Sequence, residues 1–270
     1  MESRNPVFNR GKEFKRGGYA TFEPRTPSAG ELNDLYAAPS ANAAQMGRMT
    51  LDDVVVRTAS LFGVLLLAAA PTYALLSRTA GGMALVFGSM LVALVLGLVI
   101  SFSKTPKPAL MLVYAAFEGI FVGGLSRVYA DFYDGIVAQA VVGTLAAFGS
   151  MLVLYKTGVI RNSPKFTKIL IIAGVGYFAF GMLNLLLAAF HVGGYQSVYS
   201  GGGLLAVLVS AFGVVLASLY LVLDFDFIEQ GVRNGLPRAY SWTAAFGLVV
   251  TLVWLYLEIL RLISILRGND

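Results

Sequence analysis

Seven apolar stretches lie between Val54 and Leu266, each of roughly 17 to 25 residues and so long enough to cross a hydrocarbon layer of roughly 30 Å as a helix. A segment surrounded by lipid must satisfy its own backbone hydrogen bonds, and for an isolated run of this length only a helix does so. The fold class expected is therefore all-α: a polytopic membrane protein with seven transmembrane helices. Composition agrees, since 57% of the 270 residues are hydrophobic and only 13% charged. A water-soluble globular enzyme is not expected from such a balance.

The spans are read as Val54 to Leu76, Gly82 to Ser101, Ala109 to Val128, Ile136 to Tyr155, a fifth ending near His191, Leu204 to Leu223, and Trp242 to Leu266. Lys104, Pro106, Lys107 and Pro108 together break the chain between the second and third. Residues 1–50 are polar and carry Pro6, Pro24, Pro27 and Pro39, too little apolar surface to offset the entropy of ordering. They are expected to form a disordered cytoplasmic tail ahead of a transmembrane domain over 51–270. No apolar core follows the early basic residues, so the first span is read as an uncleaved anchor.

Basic residues set the expected orientation, because lysines and arginines are held back on the cytoplasmic side. With the N-terminus inside, sixteen of the twenty fall in the tail and the even-numbered loops, while Arg78, Arg127 and Arg267 fall outside and Arg261 lies within a span. The odd helix number then places the C-terminus outside. This asymmetry accounts for the net charge of +5, so no nucleic-acid partner is expected. The chain has no cysteine, which excludes disulfides, iron–sulfur clusters, thiolate zinc and cysteine nucleophiles.

Carboxylates inside apolar helices are costly and mark functional positions by default. Glu118 lies nine residues into the third span, about 14 Å deep and near the midplane. It is read either as a pore-lining acid or as a protonated group bonded to a neighbouring helix. Gly119, Gly123 and Gly124 beside it permit close helix approach. Asp224, Asp226 and Glu229 cluster where the sixth span ends. Positions two apart are about 200° apart around a helix, so Asp224 and Asp226 cannot both face the interior. Glu258 has Arg261 one turn later, where a local ion pair can form. Alternatively, Glu258 shares a site with an acid of the sixth helix, and two such carboxylates cannot both ionise cheaply, which makes the pair a proton-operated latch.

Other chemistry finds little support. His191 is the sole histidine and Ser126 lies at an outer helix end, so a serine–histidine catalytic pair is poorly placed. Every lysine is read in a tail or loop, which argues against a retinal Schiff base. There is no phosphate-binding loop, two-histidine metal motif or dinucleotide fingerprint. No catalytic residue and no cofactor are expected, and the metal-binding status of the acids is left open. Tyr129, Tyr133, Tyr155, Tyr195, Tyr199 and Trp242 at span ends read as interfacial anchors.

The last two spans read Leu-Tyr-Leu-Val-Leu-Asp-Phe-Asp-Phe-Ile from Leu219 to Ile228 and Leu-Tyr-Leu-Glu-Ile-Leu-Arg-Leu-Ile from Leu255 to Ile263. This resembles the bacterial branch of the Bax-inhibitor family of membrane proteins, whose sixth helix ends in tyrosine-aspartate followed four residues later by isoleucine and whose last helix carries leucine-tyrosine-leucine-aspartate. By that match Asp224 takes the place of the first acid and Glu258 the second. Leu223 stands where the tyrosine is usual, the second acid is glutamate, and the interval between the acids is longer. The resemblance implies a seven-helix bundle in a bacterial plasma (inner) membrane with the last helix enclosed. It also implies a pH-sensitive leak for calcium or other cations, gated by Asp224 and Glu258; the reading of the residues themselves adds Glu118, Asp226 and Arg261 as candidate pore or pairing residues. The alternative it offers is a non-conducting regulator of a membrane protease or stress-response partner.

Overall fold

In a computed structural model, the described residues are 28–30, 43, 46–76, 79–190, 197–198 and 203–268. The expected disorder of residues 1–27, 31–42 and 44–45 and the anchors Tyr195 and Tyr199 lie outside them, as do Arg78 and His191. Residues 1–41 and 42–270 form separate units, and Ser28 to Gly30 are the only described part of the first.

The second unit holds seven helices: α1 Leu51–Leu75, α2 Ala80–Ser101, α3 Pro108–Ala130, α4 Ile136–Lys156, α5 Pro164–Ala189, α6 Leu204–Arg233 and α7 Tyr240–Gly268. All seven are long and apolar enough to span a membrane, and no strand occurs among the described residues. Local signals explain where they start. Thr50 accepts a hydrogen bond from the Asp53 amide at α1, Ser163 accepts from Phe166 at α5, and Pro108 and Pro164 occupy first-turn positions where a missing amide hydrogen costs nothing.

α6 runs ten residues further than the apolar span that ends at Leu223. Its stop is a glycine cap: Gly235 takes φ +63°, its amide bonds to the Val232 carbonyl at 3.1 Å, and the Leu236 amide bonds to Gly231 at 3.0 Å. A hydrophobicity count ends at the first acid, whereas the backbone ladder continues until a residue able to adopt the left-handed conformation closes it. Asp224 is therefore about 13 Å inside α6, not at its boundary.

α7 packs against α6, α1, α4 and α3, while α5 packs along α6 and α2 along α3. Half of the most apolar window of α7 and of α3 is buried, against 22% in α1, α2 and α4. The last helix is thus enclosed, as the resemblance implies. Apolar side chains such as Leu67, Leu75, Val142 and Ile172 cover the outside, a surface suited to lipid rather than water.

α1 and α3 approach closely through Gly119 and Gly123. A methyl group added at Gly119 would strike the Leu65 carbonyl, and one at Gly123 would lie 2.7 Å from the Ala69 Cα. This is small-residue packing at four-residue spacing, as in many membrane helix pairs.

One end of the bundle gathers the start of α1, the end of α6 and the start of α7. Asp53, buried at 8% exposure, bridges Arg57 at 3.1 Å and Arg238 at 2.8 Å. Met49 is fully buried, its amide bonded to the Leu236 carbonyl at 2.7 Å and its sulfur close to Gly231. Within Met46–Thr50, expected as the last part of the tail, Met49 is therefore packed, and the Gly47 carbonyl and Met49 amide are hydrogen-bonded to the α6–α7 connection. Ten basic residues, from Arg48 and Arg57 through the α2–α3, α4–α5 and α6–α7 connections, lie at this basic end.

Candidate functional site

Two acidic clusters occupy different levels of the bundle. The first lines a cavity of about 620 Å³ that extends to Ser103, Thr105 and Pro106 of the α2–α3 connection and is walled by α2, α3, α6 and α7. Both Glu118 and Asp224 line it, with Thr243, Gly247 and Thr251 of α7. Counting from the basic ends of their helices, Glu118 is about 15 Å deep, Asp224 about 13 Å and Thr251 about 16 Å. Three polar side chains from three helices therefore share one depth.

Packing sets each of them. The Tyr114 hydroxyl, one turn before Glu118, reaches its carboxyl. The Tyr114 ring is held edge-on to Phe246 at 5.0 Å and lies against Gly97, where a Cβ would stand 3.4 Å from it. Asp224 stands beside Thr251, and its Oδ1 comes within 3.2 Å of where a Gly247 Cβ would be. Its Oδ2 is buried with no hydrogen-bond partner. An unpartnered buried carboxylate oxygen carries a desolvation cost that structure alone does not repay. The cavity volume far exceeds the roughly 10–15 Å³ one water requires, and its lining is polar at this level.

The second cluster surrounds Glu258, which is 3% exposed. Its Oε2 accepts from Tyr177 of α5 at 2.9 Å and from Arg261, its Oε1 accepts from the Trp254 indole at 3.0 Å, and Arg261 also donates to the Tyr177 hydroxyl at 3.1 Å. Gly213 of α6 faces this cluster, since a Cβ there would lie 2.5 Å from Glu258 Oε2. The local ion pair Glu258–Arg261 is the alternative that forms.

The structure does not bring Asp224 and Glu258 together. On the antiparallel pair α6/α7, Gly213 faces Glu258 and Asp224 faces Gly247. Glu258 lies eleven residues beyond Gly247, about 16 Å along the helix. The carboxylate that shares a cavity with Asp224 is Glu118. The expected latch fails because the glutamate that best fits the leucine-tyrosine-leucine-acid pattern sits three turns away from the level of Asp224.

Asp226, expected as a pore or pairing residue, points elsewhere. It accepts from Asn162 and from Gln230, each at 2.6 Å, tying the end of α6 to the α4–α5 connection. Glu229 accepts from the Tyr155 hydroxyl at 2.5 Å. Of the three acids in this stretch, only Asp224 faces the cavity, as the 200° offset between Asp224 and Asp226 requires. Among the described residues no group of three or more histidine, cysteine, aspartate or glutamate side chains converges to hold a metal. Tyr114 and Thr251 were not singled out by sequence. The available signal was local: a tyrosine four residues before an intramembrane glutamate, and a hydroxyl isolated in an apolar helix.

The family model described as Bax inhibitor 1 like matches residues 5–268. No curated protein matches the chain.

Proposed function

The chain belongs to the Bax inhibitor 1 like family, and from that premise we propose that it is a cation leak pathway whose conductance depends on the protonation of Glu118 and Asp224. The observation carrying the proposal is that these two carboxylates line one cavity reaching the α2–α3 connection at the basic end, with one Asp224 oxygen unpartnered. A carboxylate facing water attracts cations when ionised and ceases to when protonated, which gives both cation preference and pH dependence. The proposal keeps Asp224 from the reading by motif and puts Glu118 in the role of its partner.

Beyond Phe121 the bundle is filled by buried Val122, Leu216, Leu221, Leu255 and Leu260. This arrangement is the closed form, and conduction requires α6 and α7 to separate above the cavity. The ten basic residues at this end of the bundle would hold it at the cytoplasmic face of a bacterial plasma membrane. Calcium is the natural test ion, since hard cations take oxygen ligands.

The deciding experiment is calcium flux from liposomes between pH 6 and 8. A leak that varies with pH in the native chain and loses that variation in the Glu118→Gln, Asp224→Asn double variant supports the proposal. Identical flux from both proteins at every pH defeats it.

A further inference from the structure

On the far side of α6 from the acidic cavity, α1 and α4 flank a second opening. α1 packs on α3 and α7, and α4 on α7 and α6. Between them runs a groove of about 1190 Å³, floored by Phe225, Ile228 and Val232 of α6 and Leu248 of α7. Its apolar walls include Val55, 65% exposed, and Leu152, 41% exposed. Along α1 it extends from Leu51 to Phe62, about 16 Å, which is the hydrocarbon depth of a single leaflet.

The rim of this groove is charged. Lys156, Arg161 and Arg233 stand exposed at its basic end, together with Asp226 and Glu229. Both acids already accept hydrogen bonds from uncharged donors: Asn162 and Gln230 on Asp226, Tyr155 on Glu229. Among the described residues, the ion pairs do not include one between these three cations and either acid. Thr58 lines the same groove, and its hydroxyl is buried with no hydrogen-bond partner.

We infer that this groove binds an anionic phospholipid, one acyl chain lying between α1 and α4 and the phosphate resting among Lys156, Arg161 and Arg233. A chain-length groove one leaflet deep, with cations only at its interfacial end, matches the division of a phospholipid into tail and headgroup. The inference is independent of ion conduction, because it uses a different face of α6.

The test is native mass spectrometry of the full chain in mild detergent with equal phosphatidylglycerol and phosphatidylcholine. The native protein should retain phosphatidylglycerol about tenfold over phosphatidylcholine, given about fivefold per basic residue at an anionic surface and partial offset by the two acids. Lys156→Gln, Arg161→Gln and Arg233→Gln together should bring the ratio close to one. Ala59→Trp, which fills the groove and keeps every charge, should lower retention of phosphatidylglycerol. Equal retention of the two lipids by the native protein overturns the inference whether or not the variants fold. So does an unchanged preference in the triple variant, undiminished retention in Ala59→Trp, or displacement of the lipid by millimolar glycerol phosphate, which would reveal a site for phosphate alone.

Discussion

Glu258 and Arg261 share one turn of α7 and close a four-member network with Tyr177 and Trp254, in which both carboxylate oxygens are occupied. Glu258 is almost wholly buried and the Arg261 side chain is 23% exposed. The network also carries the contact between α5, which otherwise packs along α6, and the central helix. The hydrogen bonds on both of its carboxylate oxygens set Glu258 apart from Asp224, whose Oδ2 has none. The two acids are thus in opposite electrostatic situations: one is ion-paired with both oxygens hydrogen-bonded, the other lines a cavity with one oxygen unpartnered.

Removing one partner of a buried pair leaves a charge with no compensation, at a cost of about 3–5 kcal/mol. Glu258→Ala should therefore lower thermal stability in detergent sharply. Glu258→Gln combined with Arg261→Met should recover most of the loss, because no buried charge remains. Glu258→Gln alone should leave the pH dependence of flux as it is in the native chain. If this single change removes the pH dependence while Asp224→Asn preserves it, the roles assigned to the two acids are reversed.

The glycines divide in the same way between contact and open space. At Gly123 an added methyl would run into the backbone of α1 at Ala69, whereas at Gly149 of α4 nothing lies within 4 Å. Backbone cannot turn aside as a side chain can, so Gly123→Ala must push α1 and α3 apart. Overpacking of this kind costs about 1–3 kcal/mol. Gly149→Ala should instead gain up to about 1 kcal/mol from the better helix propensity of alanine. Thermal unfolding of the two variants side by side checks the pair. Equal melting temperatures would mean that α1 and α3 are not held at this distance.

How much of this was legible in sequence follows from the range of each interaction. Helix number was legible because lipid crossing needs unbroken apolar runs, and the ion pair Glu258–Arg261 was legible because three-residue spacing places two side chains together within one helix. The end of α6 was not, since its determinant is the conformation of Gly235 and not the hydropathy of Asp224. The partner of Asp224 was not either. Whether it meets Glu258 or Glu118 depends on the register of α6 against α7 and on where α3 crosses them. A slide of one residue moves a facing position by about 1.5 Å, and nothing in a single chain of letters fixes that slide. The cost of burying an acid singled out Glu118, Asp224 and Glu258 one at a time; only packing could say which of them meet.

Hydration of the acidic cavity can be tested apart from flux, because the chain has no cysteine and any introduced thiol is the only one. Thr243 stands closer than Thr251 to the basic start of α7, and both line the cavity; Ala217 of α6 is fully buried in the core. A water-soluble thiol reagent reacts with the thiolate, which needs contact with water to form. Thr243→Cys should react fastest, Thr251→Cys more slowly yet measurably, and Ala217→Cys only on unfolding. In sealed vesicles the first two should react from one face alone, since the cavity ends below the packed leucines. If Thr251→Cys is as inert as Ala217→Cys, the level of Asp224 is dry, and a proton reaching that carboxylate would have to arrive without water.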